Sequence, residues 1–252
     1  MADLAGRVVL ITGGNGGIGL GMAGACAGAG ARIVIWGRDE AKNDAALKEL
    51  RDAGAVADAF VCDVSDPEQI PAAMAASVEV AGKVDAVFAN AGTTGRGKSF
   101  LDVDLAEWRR VMATNLDGVF LTLQAGARHM VERGEGGALV AVSSTSAIHG
   151  AAGNDAYGAA KTALLGLTRS MAVGLARHQV RVNALVPGWT ITDLARGGYE
   201  NDRFRDATVR RTPVRRWAEP SEMGPAAVFL ADPTATYHTG DTIVVDGGYT
   251  VF

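Results

Sequence analysis

The chain has 252 residues, 48% apolar and 21% charged, the balance of a folded globular protein rather than a disordered one. Its net charge of −4, from 24 basic against 28 acidic residues, gives no electrostatic footprint for nucleic acid or an anionic membrane surface. Two cysteines without metal-type spacing, Cys26 and Cys62, exclude a disulfide framework and predict a reduced, cytoplasmic protein.

Glycine is the outlier at 33 residues, clustered and without a period, which signals tight turns and close backbone approaches. The first apolar run, 7–12, predicts a buried strand leading into Thr12-Gly13-Gly14-Asn15-Gly16-Gly17-Ile18-Gly19. The 24 residues between Arg7 and Arg32 carry no charge, but nine are glycine, so a strand, a glycine loop and a helix are expected rather than a membrane span. In that setting backbone N–H groups and a helix N-terminus hold a pyrophosphate, with glycine because a Cβ would block the approach. Dinucleotide binding is therefore predicted. No basic n-region followed by an apolar stretch marks a leader at Met1 to Arg7.

Runs at 31–36 and 57–62 predict the next two strands, and Asp39 predicts the cap of a helix running through Lys42, Leu47, Leu50 and Arg51. Pro67 suits the first turn of a further helix. Runs at 84–89, 138–143, 180–186 and 241–246 complete seven strands, with mostly helical segments between them. Continuous apolar strands joined by helical crossovers imply an α/β domain with a doubly wound parallel sheet covered by helices on both faces. One such domain, with a seven-stranded sheet, is expected over 1–252, its ligands beyond the carboxyl ends of the strands. The segment 189–216 directly follows a strand end, holds few apolar residues and is rich in arginine, which predicts a loop–helix insertion acting as a substrate lid.

Tyr157 and Lys161, four apart on a helix starting near Asp155, share one face. An ammonium beside a phenol lowers the phenol pKa, which makes tyrosine a usable acid/base near neutral pH. Ser144, just past a strand end, adds a hydroxyl for a carbonyl oxygen. His149, five residues on, borders the expected pocket, whereas His129, His178 and His238 read as helix-end or surface residues. None pairs with another ligand at metal spacing, and no metal is expected.

In order and spacing these motifs resemble the short-chain dehydrogenase/reductase family, with its Rossmann-like fold, from Leu4 to Phe252. Thr12, Gly13, Gly17 and Gly19 match its glycine motif, and Asn90-Ala91-Gly92 its element beside the cofactor. Asp63 and Val64 match its adenine-side pair, Pro187-Gly188 its turn over the nicotinamide, and Val245-Asp246-Gly247-Gly248 its ending. The resemblance implies catalytic roles for Asn115, Ser144, Tyr157 and Lys161: proton transfer by Tyr157, ribose binding by Lys161, substrate-oxygen binding by Ser144, and support of a water chain by Asn115. It extends cofactor contacts to Asn15, Ile18, Gly37, Arg38, Thr190 and Thr192, and places Thr94, His149, Asn154 and Trp189 at the substrate edge.

Two positions depart from the family pattern. Gly37-Arg38 stands where many NAD-using members carry an acid at the end of the second strand, so NADP is the expected cofactor, with NAD as the alternative. Thr190 replaces the usual Ile or Val after Pro-Gly, at a contact made through backbone. The implied function is hydride transfer between NADP(H) and a small secondary alcohol or ketone. The alternatives are a 3-oxoacyl-[acyl-carrier-protein] reductase, using Arg128, His129, Arg133 and Arg169 as a carrier patch, and a non-catalytic nucleotide sensor. A homotetramer is expected, with contacts from 102–130, 155–177 and the apolar end Gly247–Phe252.

Overall fold

A computed structural model describes residues 3–252. Strand β1 (Val8–Thr12) and helix α1 (Gly17–Gly28) are followed by β2 (Arg32–Gly37), α2 (Glu40–Asp52), β3 (Ala57–Val61), α3 (Gln69–Ala81) and β4 (Ala86–Ala89). Then come α4 (Leu105–Met112), α5 (Gly118–Arg133), β5 (Gly137–Val142), α6 (Asp155–Leu175) and β6 (Val180–Pro187). Two short helices, α7 (Arg196–Tyr199) and α8 (Asp202–Arg211), precede α9 (Gly224–Ala231) and β7 (Thr242–Val245).

The seven strands pair in the order β3-β2-β1-β4-β5-β6-β7, all parallel. Side chains alternate along each strand, and the two faces bury separate layers. Val9, Ile11, Ile33 and Ile35 pack with Met22 of α1, Leu50 of α2 and Leu230 of α9. Val8, Leu10, Val34 and Trp36 pack with Met74 of α3, Leu123 of α5 and Leu164 of α6. Both faces are apolar, so the strands read as continuous runs, and that is why each lies within two residues of its expected bounds. The strand order reverses between β1 and β4, where an open sheet leaves a crevice at its carboxyl edge.

Helix α2 begins as expected, with the Asp39 carboxylate accepting from the Lys42 N–H at 3.0 Å. The expected role of Pro67 is corrected. It lies in a turn held by Asp66, whose carboxylate accepts from the Glu68 N–H, and Pro71 occupies the first turn of α3 instead.

At the opposite edge Asp85 gathers the starts of two strands and the end of α5. It accepts from the Val8 N–H at 2.9 Å and lies 3.0 Å from Arg133, 3.2 Å from Lys83 and 3.5 Å from Arg7. Removing it leaves the largely buried Arg133 with only the exposed Glu135 carboxylate, 3.2 Å away, as a counter-charge. Asp85→Ala is expected to cost about 3 kcal/mol, read as a lower unfolding midpoint with cofactor affinity retained.

Candidate active site

A cavity of about 930 Å³ opens at the carboxyl edge and is lined from Gly13 and Arg38 at one end to His149 and Tyr249 at the other. The loop after β1 forms its floor. Gly13 and Gly17 adopt φ of +63° and +49°, and a Cβ on Gly19 would collide with the Gly13 carbonyl. The backbone can take that path only with glycine. Helix α1 carries no side-chain cap and no acid in its first turn. Its first N–H groups are unclaimed at a positive helix end, and Gly16, Gly17 and Ile18 face the cavity. This donor set fits the pyrophosphate of a dinucleotide. Asn90 braces the loop, its amide donating to the Thr12 carbonyl at 3.0 Å while the Thr12 hydroxyl accepts from the Asn90 and Ala91 N–H groups.

The end of β2 differs from expectation. The missing Gly37 side chain does not leave room, because a Cβ there would overlap Asn15 and Asn43. The Asn15 amide donates to the Asn43 carbonyl oxygen at 2.7 Å, and buried Asn43 donates to the Gly37 carbonyl at 2.9 Å. A side chain at 37 would thus have to displace this hydrogen-bonded asparagine pair. Gly37→Ala, which adds no charge, is expected to destabilise the fold by about 1–3 kcal/mol and weaken both nicotinamide cofactors alike, measured by thermal melting and nucleotide titration. Arg38 is exposed on the cavity rim. Across from it burial raises the Asp63 pKa, but hydrogen bonds from Ser65 and the Arg38 charge outweigh this and hold the carboxyl below its usual range. Val64 lies buried beside Gly118 at the base of this loop.

The catalytic candidates converge from three elements. Ser144 follows β5 in extended backbone, its hydroxyl accepts from the Ser146 N–H at 3.1 Å, and it lines the same cavity as Tyr157. Tyr157 and Lys161 lie one turn apart on α6, with the Lys161 ammonium 5.5 Å from the Tyr157 ring centre. Lys161 is 2% exposed and donates to the Val142 carbonyl at 2.8 Å. Burial pushes its pKa down to about 8. Burial also raises the Tyr157 pKa, with the Ser144 hydrogen bond pulling it partly back. The expected depression of the phenol by Lys161 is therefore absent in the protein alone, where desolvation by burial is the larger effect and only Ser144 opposes it.

Asn115 is fully buried in a π-helical turn (Ala113–Asp117) between α4 and α5, which the sequence did not signal. Its amide donates to the Thr93 and Val111 carbonyls at 2.8 Å each, tying that turn to the loop after β4. A Cβ on Gly92 would fall 2.9 Å from the Asn115 oxygen and 3.7 Å from the Lys161 nitrogen, so the Gly92 backbone runs between the two.

At the far end Pro187-Gly188 closes β6, and buried Thr190 donates its hydroxyl to the Gly188 carbonyl at 3.1 Å. Thr192 sits against Gly17 and accepts from the Ala195 N–H at 3.3 Å, starting the segment that covers the cavity. A Lys42–Asp193 ion pair of 3.2 Å spans from α2 to this segment. Trp189 stacks on Trp217 with ring centres 4.9 Å apart and meets Phe204 edge-on at 5.1 Å. Thr94, His149, Asn154 and Trp189 all line the cavity, whereas Arg96 is turned to Glu107 at 3.5 Å.

Sequence reasoning missed Lys42, Asn43, Phe204 and Tyr249 as cavity or support residues. Tyr249 was expected among interface contacts, but it turns inward toward His149, with ring centres 5.4 Å apart. The signal was present in Gly247-Gly248, whose φ of +64° and +86° fold the end of the chain back. Among the described residues no group of three His, Cys, Asp or Glu can hold a metal, and no helix is long and apolar enough to cross a membrane.

A nucleotide cradle at the switch point of a doubly wound sheet, opening onto a phenol and a buried ammonium, defines a nicotinamide-dependent oxidoreductase. The chain belongs to the short-chain dehydrogenase/reductase family. A family model described as enoyl-(acyl carrier protein) reductase matches residues 13–250. Galactitol 2-dehydrogenase (L-tagatose-forming) of Cereibacter sphaeroides is 40% identical, covering 99% of this chain and 97% of that protein. L-rhamnose 1-dehydrogenase (NAD(P)(+)) of Azotobacter vinelandii is 38% identical, covering 96% of each. The crystal structure of a gluconate 5-dehydrogenase from Burkholderia cenocepacia in complex with NADP and tartrate superposes with a TM-score of 0.94 at 37% identity, covering 99% of this chain and 97% of that one.

Proposed function

We propose that the protein interconverts a small, oxygen-rich secondary alcohol and its ketone, using NADP in preference to NAD, with Tyr157 as general acid/base. The observation that carries this reading is the convergence of Ser144, Tyr157 and Lys161 on one cavity with the nucleotide cradle, the Lys161 ammonium 5.5 Å from the Tyr157 ring centre. Gly13, Asn15, Gly17, Ile18 and Gly19 would hold the pyrophosphate, and Arg38 a 2′-phosphate. Asp63 and Val64 would face the adenine, and Asn90, Ala91, Gly92, Pro187, Gly188, Thr190 and Thr192 the nicotinamide half. When bound, oxidised nicotinamide accepts a hydride and brings a positive charge that favours the Tyr157 phenolate.

The chain's own residues manage orientation and one proton. Ser144 donates to the substrate oxygen and fixes it beside the Tyr157 hydroxyl. Tyr157 takes the alcohol proton in oxidation and returns it in reduction. Lys161, with one N–H on Val142, keeps the others for the ribose and the proton path, and Asn115 holds the backbone that shapes that path. The segment 189–216 acts as a lid on a single domain, excluding water while the aromatic wall orients the substrate.

The named relatives act on a sugar, a polyol or a sugar acid, which supports the oxygen-rich substrate class. The carrier-protein alternative loses ground, because Arg133 is engaged by Asp85 and the His129 ring accepts from the Val84 N–H. Only Arg128 and Arg169 stay exposed from that patch. The testing experiment is a panel of galactitol, L-rhamnose, gluconate, cyclohexanol and an acetoacetyl thioester with NADP and NAD, following nicotinamide absorbance. Turnover confined to the thioester would overturn the reading.

A cytoplasmic homotetramer completes the proposal. Phe100, Leu101 and Val173 are 72%, 89% and 83% exposed, and Val251 and Phe252 project from the chain end, a large apolar surface for an isolated protomer. Light scattering is expected to give about four times the 26.0 kDa protomer mass, and a value near 26.0 kDa refutes it.

A further inference from the structure

At the end of the cavity lined by Arg38, a second cation stands on the same short stretch of chain. Lys42 lies in the first turn of α2, closed back toward Arg38 by the Asp39 carboxylate. The Asn43 amide donates to the Gly37 carbonyl at 2.9 Å, so the residue after Lys42 is fixed beside the residue before Arg38. Arg38 and Lys42 both line the cavity. The carboxylates around them are Asp39, which caps α2, Asp63 across from Arg38, and Asp193 on the covering segment.

The Lys42 ammonium donates to one Asp193 oxygen at 3.2 Å, joining two positions 151 residues apart in the chain. Both side chains are more than half exposed, at 58% and 66%, so water screens the pair and it opens at little cost. Asp193 does not depend on Lys42 alone. Its other oxygen accepts from Arg196, three residues further along the same segment. Asp193 also borders a second recess of about 340 Å³, shared with Arg196, Tyr199 and Glu200. When Lys42 leaves, the carboxylate therefore keeps a counter-charge and has space to turn toward it. A phosphate monoester carries a charge of about −1.5 to −2 at neutral pH, against a single charge on a carboxylate. Lysine presents a point charge on a flexible four-carbon stem, which suits a change of partner better than the rigid fork of arginine.

We propose that Lys42 is a second cation for the 2′-phosphate of NADP, held by Asp193 until the phosphate takes the carboxylate's place. The inference rests on the reading of Arg38 above and adds a specificity residue that neither the glycine loop nor the strand end marks. It also gives Asp193 an opposing role, since its charge competes for Lys42 and weakens discrimination. An adenosine ribose with hydroxyls alone brings no charge to draw Lys42 from Asp193. The preference for the phosphorylated nucleotide thus comes partly from an exchange of ion-pair partners rather than from a fixed pocket.

The test is calorimetric titration with adenosine 2′,5′-bisphosphate and AMP, which differ only by the 2′-phosphate. The readout is the Kd for AMP divided by that for the bisphosphate, and it needs no turnover. In Lys42→Met the ratio is expected to fall about three- to tenfold, one charge-assisted bond discounted for its exposure to solvent. Lys42→Arg is expected to recover most of that loss. Asp193→Asn is expected to raise the ratio about two- to fivefold, a gain that disappears in the Lys42→Met background. If Lys42→Met melts well below the parent, Lys42→Gln carries the same comparisons. Equal weakening of both ligands in Lys42→Met overturns the proposal, because Lys42 then attracts any nucleotide. No gain in Asp193→Asn overturns it as well. A gain that persists without Lys42 does the same, since Asp193 then acts by direct repulsion of the phosphate. Failure of the NADP reading is distinguishable. A parent that binds the two ligands alike overturns that reading and this one together, whereas a parent ratio that falls in Arg38→Leu but not in Lys42→Met overturns this proposal alone.

Discussion

Replacing Tyr157 by Phe is expected to lower turnover by about 10²–10⁴ while the affinity for NADP stays within a few-fold. The substitution removes one hydroxyl and keeps the ring that packs beside the Lys161 ammonium. Ser144 remains anchored, because its hydroxyl oxygen accepts from the Ser146 N–H at 3.1 Å. The loss therefore falls on proton transfer, and nucleotide titration beside steady-state kinetics separates the two effects. Near-normal turnover of Tyr157→Phe would remove Tyr157 from the reaction. The desolvated phenol carries a raised pKa in the protein alone, so the oxidation rate is expected to climb with pH as Tyr157 ionises. The pH profile of kcat/KM should lose that limb in the Phe variant.

Arg38→Leu is expected to reduce kcat/KM with NADP by about ten- to a hundredfold and leave NAD within threefold. A charge-assisted hydrogen bond contributes about 1.5–3 kcal/mol, and each 1.4 kcal/mol is a factor of ten. Arginine suits the task because its planar fork stays charged at any working pH and matches a phosphate with two bonds. The neighbouring position is no substitute as a test. An acid placed at Gly37 would meet Asn15 and Asn43 before it met a ribose, so its effect would mix steric damage with charge repulsion. Equal loss with both cofactors in Arg38→Leu would show that Arg38 does not read the 2′-phosphate. A parent that already favours NAD would do the same.

What the sequence determined on its own was whatever depends on short-range order. Val8–Thr12, Arg32–Gly37 and Val180–Pro187 are unbroken apolar runs because both sheet faces are covered, and that pattern identifies strands without knowledge of their neighbours. The glycine loop was equally plain, since a backbone that must approach a phosphate excludes side chains and leaves a mark in the chain itself. Tyr157 and Lys161 share a helix face by spacing alone. Tertiary structure decided everything set by the meeting of distant segments. Asn43 lies 28 residues from Asn15, and only the pairing of β1 with β2 brings their side chains together above Gly37. Arg211 and Tyr249 reach His149 because α8 and the folded-back chain end converge on the loop after β5, a contact no periodicity encodes. The pKa of Tyr157 was likewise beyond the sequence. Lys161 at i+4 announces a positive charge, but burial depends on the surrounding fold, and here desolvation by burial raises the phenol pKa.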